Sequence, residues 1–149
     1  MGILAKNKEA YFNYEIEDSL EAGIQLLGHE VKSAKSGNVS LKGAHVTVYG
    51  SEAMLVNAHI APYKYAGELA GYDPTRSRKL LLKRKEIDSI IGKYKIAGYA
   101  IVPLELYTKK GLIKVKLGIG RGKKKWDKRD VIKKKEADRK IGRAIRAKL

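Results

Sequence analysis

One alternating segment constrains the fold more than any other feature of the sequence. Between residues 112 and 119, apolar side chains alternate with Lys114 and Lys116, so one face of a strand is buried and the other carries lysines. Residues 99–107 have strand-forming composition, and Lys109-Lys110-Gly111 between the two segments is typical of a tight turn. The sequence therefore predicts an antiparallel hairpin with a core face and a solvent face.

Further segments predict more strands. Residues 11–16 alternate aromatic and polar side chains, and the apolar residues 22–27 follow a predicted turn at Asp18 and Ser19. Residues 45–49 and 53–57 flank Gly50-Ser51, which predicts a second hairpin.

One helix is predicted over residues 83–94. Ile87, Ile90, Ile91 and Tyr94 have the i, i+3, i+4, i+7 spacing of an amphipathic helix. About six short strands and a covering helix predict a mainly β fold with flanking helices. The expected architecture is a β-barrel of the oligonucleotide-binding type, closed or partly open.

Positive charge is concentrated at the C-terminal end. The 149 residues hold 32 Lys and Arg against 16 Asp and Glu, a formal net charge of +16. Residues 118–149 carry +10 of this charge, and residues 1–117 carry +6. Such an excess predicts a polyanionic partner.

The charge division predicts two parts, a barrel with helices over residues 1–117 and a basic tail over residues 118–149. The start of the tail is too rich in glycine and charge to order itself, so the tail is predicted to be disordered when free. Gly120 and Gly122 would supply flexibility there. Beyond residue 129, apolar residues recur every four positions and predict a helix that forms when phosphates neutralise its cations.

The sequence offers little for catalysis or metal binding. It has no cysteine, and His29, His45 and His59 are too scattered for a metal-ligand pattern. No catalytic triad, paired-carboxylate motif or phosphate-binding glycine loop stands out, so neither an enzyme nor a cofactor is expected. No signal peptide or membrane span is visible, which predicts a cytoplasmic protein without a membrane partner.

Four segments carry a resemblance to a known family. They are Glu21-Ala22-Gly23, Gly28-His29-Glu30-Val31-Lys32-Ser33, residues 73–82 and residues 122–129. In order and spacing they resemble the SsrA-binding protein family, also called small protein B, from about Asn7 to the C-terminus.

This resemblance implies an RNA-binding factor of bacterial trans-translation. Such a factor binds the tRNA-like domain of transfer-messenger RNA, one protein to one RNA, and delivers it to stalled ribosomes for rescue and peptide tagging. The resemblance also implies an oligonucleotide-binding-type barrel. The C-terminal tail would enter the empty mRNA channel near the small-subunit decoding centre and become helical.

The resemblance assigns contact with transfer-messenger RNA to five matching positions: Asn7, Tyr14, Glu21, Lys79 and Leu81. Asn7 offers a donor and an acceptor, and Tyr14 either stacks on an unpaired base or is half-buried core. Glu21 would accept a hydrogen bond from a base amino group, because a phosphate would repel it.

Two further groups of residues are candidates. Arg76, Arg78 and Lys79 are predicted to meet phosphates, whereas Glu30 and Lys32 form either a structural ion pair or an RNA contact. The predicted ribosome-binding residues of the tail are Arg121, Gly122, Lys123, Lys124, Trp126, Asp127, Lys128 and Arg129. Trp126 and Phe12 stand where relatives often have histidine, and neither side chain can titrate.

Two other functions fit the composition. A structural ribosomal-RNA-binding protein would remain on the ribosome in high salt, whereas a factor held by ionic contacts would wash off. A non-specific single-strand binder would bind poly(dT) as well as RNA.

Overall fold

The predicted hairpin forms the centre of a seven-stranded antiparallel sheet. The computed structural model describes residues 2–67 and 69–123, which form nine strands and three helices. In chain order these are β1 (Gly2–Lys6), α1 (Lys8–Asn13), β2 (Tyr14–Ile24), α2 (Gly28–Lys35), β3 (Val39–Ser40), β4 (His45–Tyr49), β5 (Glu52–Val56), β6 (His59–Ile60), β7 (Arg78–Leu81), α3 (Arg84–Tyr94), β8 (Tyr99–Lys109) and β9 (Leu112–Gly122).

The large sheet has the strand order β1-β8-β9-β2-β7-β5-β4, and β3 pairs with β6 separately. The edge strand β4 also lies against β8, so the sheet curves around the core without closing through hydrogen bonds. The prediction of a mainly β fold with flanking helices is confirmed, with the sheet open. Both predicted hairpins form, with β8 paired to β9 and β4 paired to β5.

The core lies on the face of β9 that the alternation predicts. Ile113, Val115, Leu117 and Ile119 are buried there. Ala34 of α2 and Ile90 of α3 belong to the same cluster. Each large aliphatic side chain buried in this way stabilises the fold by roughly 1.5–3 kcal/mol.

The start of the chain differs from the sequence prediction. Residues 11–13 belong to α1 rather than to a strand, because the side chain of Asn7 caps this helix by accepting a hydrogen bond from the Ala10 N–H at 3.2 Å. The predicted turn at Asp18 and Ser19 is absent from the described structure. There β2 continues through a bulge between Ile16 and Asp18 and stays paired with β9.

A helix that the sequence did not predict, α2, occupies residues Gly28–Lys35. The Glu30 carboxylate accepts a hydrogen bond from the Leu27 N–H at 2.8 Å, which satisfies one donor at the start of this helix. With only eight residues, α2 is too short for a clear helical period in the sequence.

The boundary of the predicted tail also needs correction. Strand β9 continues to Gly122, so residues 118–122 belong to the sheet and are not a disordered segment. A Cβ on Gly118 would lie 2.8 Å from the Leu104 side chain, and a Cβ on Gly120 would overlap the Glu15 backbone oxygen. Gly118 and Gly120 therefore permit close packing and do not supply flexibility. The predicted tail helix lies outside the described residues.

Candidate nucleic-acid interface

The open face of the sheet carries a mixed group of charged, aromatic and apolar side chains. Opposite residues of antiparallel strands share a face, and the register pairs Glu21 with Lys116 and Lys114 with both Gly23 and Tyr107. We call this side of the sheet the outer face. Its members are Glu21, Lys79, Leu81, Tyr107, Lys109, Lys114 and Lys116.

The strand β7 contributes Lys79 and Leu81 to the outer face. Both are exposed and alternate with buried Arg78 and Leu80, which point into the core. Leu81 lies opposite Gly23 of β2, where an added Cβ would come within 3.2 Å of the Leu81 Cβ. The absence of a side chain at Gly23 therefore leaves room for Leu81 to lie close to β2 on this face.

Glu21 is held in place by its neighbours on the outer face. The Tyr107 hydroxyl donates a hydrogen bond to the Glu21 carboxylate, and the Lys109 Nζ lies 3.4 Å from the same oxygen. The hydrogen bond from Tyr107, together with Lys109 and Lys114, lowers the pKa of Glu21 below its ordinary value. Glu21 is thus a fixed carboxylate in a basic surface, which suits it to accept hydrogen bonds from base amino groups.

The phenol of Tyr107 is protonated in this arrangement. Burial, followed by the hydrogen bond to Glu21, raises the pKa of Tyr107 far above its ordinary value. The positive charge of Lys79 is partly neutralised, because its Nζ lies 3.3 Å from the Glu52 carboxylate. The lysines of β9, Lys114 and Lys116, are half-buried along their stems on the outer face.

Asn7 and Tyr14 lie at the other end of β2. Tyr14 is seven residues from Glu21, about 23 Å along the strand. It packs on the small cluster of Ala10, Val102 and Leu104, and with Asn7 it lines an open cleft of about 220 Å³. The structure therefore separates the predicted RNA contacts into two regions.

Asn7 is mostly structural in this position. Its side chain is 6% exposed, its Nδ2 donates to the Pro103 carbonyl at 2.9 Å, and its Oδ1 caps α1. Tyr14 is half-buried. One part of its ring packs on the small cluster, and the exposed part is accessible to an unpaired base, so its position agrees with both alternatives.

Glu30, Arg76 and Arg78 form a buried cluster on the core side of the sheet. Arg78 is 0% exposed, and its guanidinium donates to Glu30 at 2.8 Å, to the carbonyls of Ala58 and Pro74, and to the Tyr72 hydroxyl. Glu30 is equally buried and also binds Arg76. Glu30 is therefore in a structural ion pair, but with Arg76 and Arg78 rather than with Lys32.

The prediction that Arg78 meets a phosphate is corrected by this burial, because its donors are already used within the protein. Arg76 keeps 31% of its side chain exposed while bound to Glu30. Burial raises the pKa of Glu30, but the hydrogen bonds from Arg76, Leu27, Arg78 and Tyr72 outweigh it and lower the pKa to about 2. Lys32 lies on the exposed side of α2, away from the outer face.

Three of the predicted tail residues lie at the end of β9 and just beyond it. The Arg121 guanidinium carbon lies 4.7 Å from the Tyr99 ring centre, and its Nε is 3.7 Å from the Glu17 carboxylate. Gly122 and Lys123 are held by backbone hydrogen bonds to Gly98 and Asn13. We call Arg121, Gly122 and Lys123 the tail root. The predicted contacts of Lys124, Trp126, Asp127, Lys128 and Arg129 lie outside the described residues.

The sequence did not single out Tyr107, Lys109, Lys114 and Lys116 as members of the interface. The alternation of residues 112–119 already placed Lys114 and Lys116 opposite the core. The missing information was the pairing of β2 with β9, which brings these lysines beside Glu21.

Two other kinds of feature, a metal site and a membrane-spanning helix, can be looked for in the described residues. Within residues 2–67 and 69–123, His, Asp and Glu side chains form no group suited to a metal ion. In the same ranges, none of the three helices has the length and apolar character needed to span a membrane.

The fold and the outer face together define a class, small basic β-sheet proteins that present a face suited to nucleic acid. The family model described as SmpB protein matches residues 4–147 of the sequence. The chain therefore belongs to the SmpB protein family.

Individual relatives agree over nearly the full length. An SsrA-binding protein of Geobacillus sp. (strain WCH70) is 50% identical over 144 residues, 97% of this chain and 92% of that protein. An SsrA-binding protein of Elusimicrobium minutum (strain Pei191) is 46% identical over 147 residues, 99% of this chain and 93% of that protein.

A solved structure described as "tmRNA-SmpB: a journey to the center of the bacterial ribosome" contains a similar chain. It has a TM-score of 0.67 and 43% identity, covering 80% of this chain and 84% of that one. The similarity therefore extends to the three-dimensional fold.

Proposed function

We propose that this protein binds the tRNA-like domain of transfer-messenger RNA and delivers it to stalled ribosomes in trans-translation. Membership of the SmpB family carries the proposal. The names of its relatives, SsrA-binding proteins, and the ribosomal setting of the similar structure support it.

The outer face is the proposed binding surface for the tRNA-like domain. Its lysines can hold phosphates, while Glu21 can read a base amino group and Leu81 can pack against a sugar or base. Tyr14, with the cleft beside it, forms a second contact further along β2. Specificity then comes from a few polar and apolar groups on a surface of moderate charge.

The protein acts by binding and carries out no chemical step of its own. It works in the cytoplasm as a monomer bound to one RNA, and residues 124–149, which carry +8, engage the ribosome. Residues 124–149 enter the empty mRNA channel near the small-subunit decoding centre, where Lys124, Trp126, Asp127, Lys128 and Arg129 contact ribosomal RNA.

A binding titration with the isolated tRNA-like domain tests the proposal. Glu21→Gln should weaken binding about 10- to 100-fold at fixed salt, because it removes a charge-assisted hydrogen bond. Asp88→Asn is the matched control, since it removes an exposed, ion-paired carboxylate from α3 and not from the outer face. Its affinity should equal that of the wild type.

The same titration distinguishes the proposal from non-specific binding. Poly(dT) in tenfold excess should displace little of the tRNA-like domain. Equal competition by poly(dT), or an unchanged affinity in Glu21→Gln, would contradict the proposal.

A further inference from the structure

Two tyrosines and two lysines form a patch on the α2 side of the molecule. The rings of Tyr63 and Tyr65 meet edge to face with centroids 5.5 Å apart. The Nζ of Lys32 lies 5.8 Å from the Tyr63 ring centre, and the Nζ of Lys64 lies 5.0 Å from that of Tyr65. We call these four residues the tyrosine patch.

The tyrosine patch belongs to α2 and to the segment after β6, and none of its four residues lies on a strand of the outer face. Ser33 and Ala34 of α2 face the core, which places the exposed Lys32 on the far side of the helix. The Ser33 hydroxyl donates to the Ala61 carbonyl at 2.6 Å and ties the segment before Tyr63 to α2. The patch and the outer face therefore use different residues, and we expect an RNA bound on the outer face to leave the two tyrosine rings accessible.

The exposure of the patch suits it to bind rather than to pack. Tyr65 is 74% exposed, so its ring contributes little to the core. The ring and the Lys64 ammonium are presented together, and Tyr63 with Lys32 repeats the combination beside them. A flat aromatic surface next to a cation is complementary to a nucleotide, whose base stacks while its phosphate pairs with the charge.

We propose that the tyrosine patch is a second RNA-binding site, which takes unpaired nucleotides while the outer face holds the first RNA. The proposal extends the function proposed above and rests on it only for the identity of the first RNA. It assigns Lys32 to a different RNA from the one that Glu21 contacts.

An unpaired RNA segment fits the patch better than a protein segment does. An acidic peptide would pair with Lys32 and Lys64 but would gain little from the exposed ring of Tyr65 and the half-buried ring of Tyr63. Unpaired bases can be splayed out and stacked on tyrosine, and this gain does not depend on the hydroxyl group. Tyr65→Phe should therefore still bind RNA at the tyrosine patch, whereas Tyr65→Ala should lose this binding.

Photo-crosslinking tests the site directly in the full-length protein. The probe is a 12-nucleotide single-stranded RNA containing 5-iodouridine, irradiated with and without saturating tRNA-like domain, and cross-linked peptides are mapped by mass spectrometry. We expect a cross-link at residues 63–65 that persists when the tRNA-like domain is bound. Stacking of one base corresponds to about 5- to 150-fold in affinity, so Tyr65→Ala should reduce this cross-link at least fivefold.

Two variants serve as controls. Tyr65→Phe should cross-link as the wild type does. Tyr49→Ala removes an even more exposed tyrosine, 86% exposed, from a different part of the surface and should not change the cross-link at residues 63–65. Because the readout is a mapped peptide, binding of the probe to the basic tail does not obscure it.

Several results would overturn the proposal. These are no cross-link at residues 63–65, an equal yield in Tyr65→Ala, or loss of the cross-link when the tRNA-like domain is added. Weaker ribosome binding by Tyr65→Ala without any RNA cross-link would mean that the patch contacts a protein. Failure of the tRNA-like domain to bind at all would contradict the first function and would leave the cross-link at residues 63–65 as a separate result.

Discussion

At the scale of single residues, burial decides the role of a charge. The sequence shows Arg76, Arg78 and Lys79 as one run of cations, but only Lys79 is on the outer face. Arg78 has a fully buried side chain that links α2, the segment around Pro74 and β7 through Glu30. Cations that are neighbours in the sequence can thus have unrelated tasks when they belong to a strand, because alternate side chains point to opposite faces.

The Glu30 cluster predicts a specific loss of stability in acid. The pKa of Glu30 is lowered from 4.5 to about 2 in the folded state. Its contribution is therefore complete above pH 4.5 and disappears as the pH falls towards 2. We expect the free energy of unfolding, measured by urea titration, to fall by about 3 kcal/mol from this group across that range.

Glu30→Gln should lower the free energy of unfolding at neutral pH by about 3–5 kcal/mol, because it leaves Arg78 buried without a counter-charge. The variant should also lose the part of the acid dependence that belongs to Glu30. Glu52→Gln, which removes the exposed partner of Lys79, should change stability by less than about 1 kcal/mol. An acid dependence in Glu30→Gln equal to that of the wild type would contradict this account.

At the scale of secondary-structure elements, the sequence predicts correctly those elements that have a long and regular hydrophobic period. The β8–β9 hairpin and α3 have long, regular patterns and form as predicted. The short helices α1 and α2 were missed, because their ends are fixed by the side chains of Asn7 and Glu30 rather than by a hydrophobic period. The outer face needed the pairing of β2 with β9 and β7, which is long-range information that local patterns do not contain.

The sequence prediction that the tail root is disordered was wrong for a related reason, because the local pattern does not show which strands pair with β9. Gly120, one of the two glycines that suggested flexibility, lets the Glu15 backbone approach β9 closely, and Gly118 leaves room for Leu104. Arg121 then bonds to the protein itself, through the Glu17 carboxylate and the Tyr99 ring. The Tyr99 hydroxyl in turn donates a hydrogen bond to the Glu17 carboxylate at 2.8 Å. The contacts among Arg121, Glu17 and Tyr99 therefore fix the position of the end of β9.

If Arg121 anchors the end of β9, removing either charge should loosen it. Arg121→Gln and Glu17→Gln should each speed hydrogen exchange of the Gly122 amide, which donates to the Gly98 carbonyl, by about 2- to 5-fold. Arg84→Gln removes a comparable exposed ion pair with Asp88 on α3 and should leave this amide unchanged.

A direct contact between Arg121 and a ribosomal phosphate predicts the opposite sign for one variant. Glu17→Gln would then free Arg121 and raise ribosome affinity, with no change in exchange of the Gly122 amide. That combination would show that Arg121 acts through RNA rather than as an anchor.

At the scale of the whole molecule, the excess charge is divided more evenly between the two parts than the sequence boundary suggested. With residues 118–123 assigned to the sheet and the tail root, the remaining residues 124–149 carry +8 of the total +16. Residues 1–123 hold the other +8, and the charges of residues 124–149 lie outside the described structure.

Deletion of residues 124–149 should separate the two tasks of the protein. We expect the affinity for the isolated tRNA-like domain to stay within about threefold of the wild type, because the outer face is intact. Peptide tagging on stalled ribosomes in a reconstituted translation system should be lost. A fall in RNA affinity of more than tenfold would show that the tail, and not the outer face, carries most of the binding.

A single strand, β9, connects the outer face to the tail root. From Lys116 to Gly122 it advances by six residues, about 20 Å, and it is paired with β2 along this length and with β8 as far as Arg121, with one bulge in each ladder. A strand paired on both edges cannot stretch or rotate without breaking its ladder. Strand β9 is therefore a rigid spacer. It fixes the distance between the outer face, which holds the tRNA-like domain, and the tail root, after which the ribosome-binding residues begin.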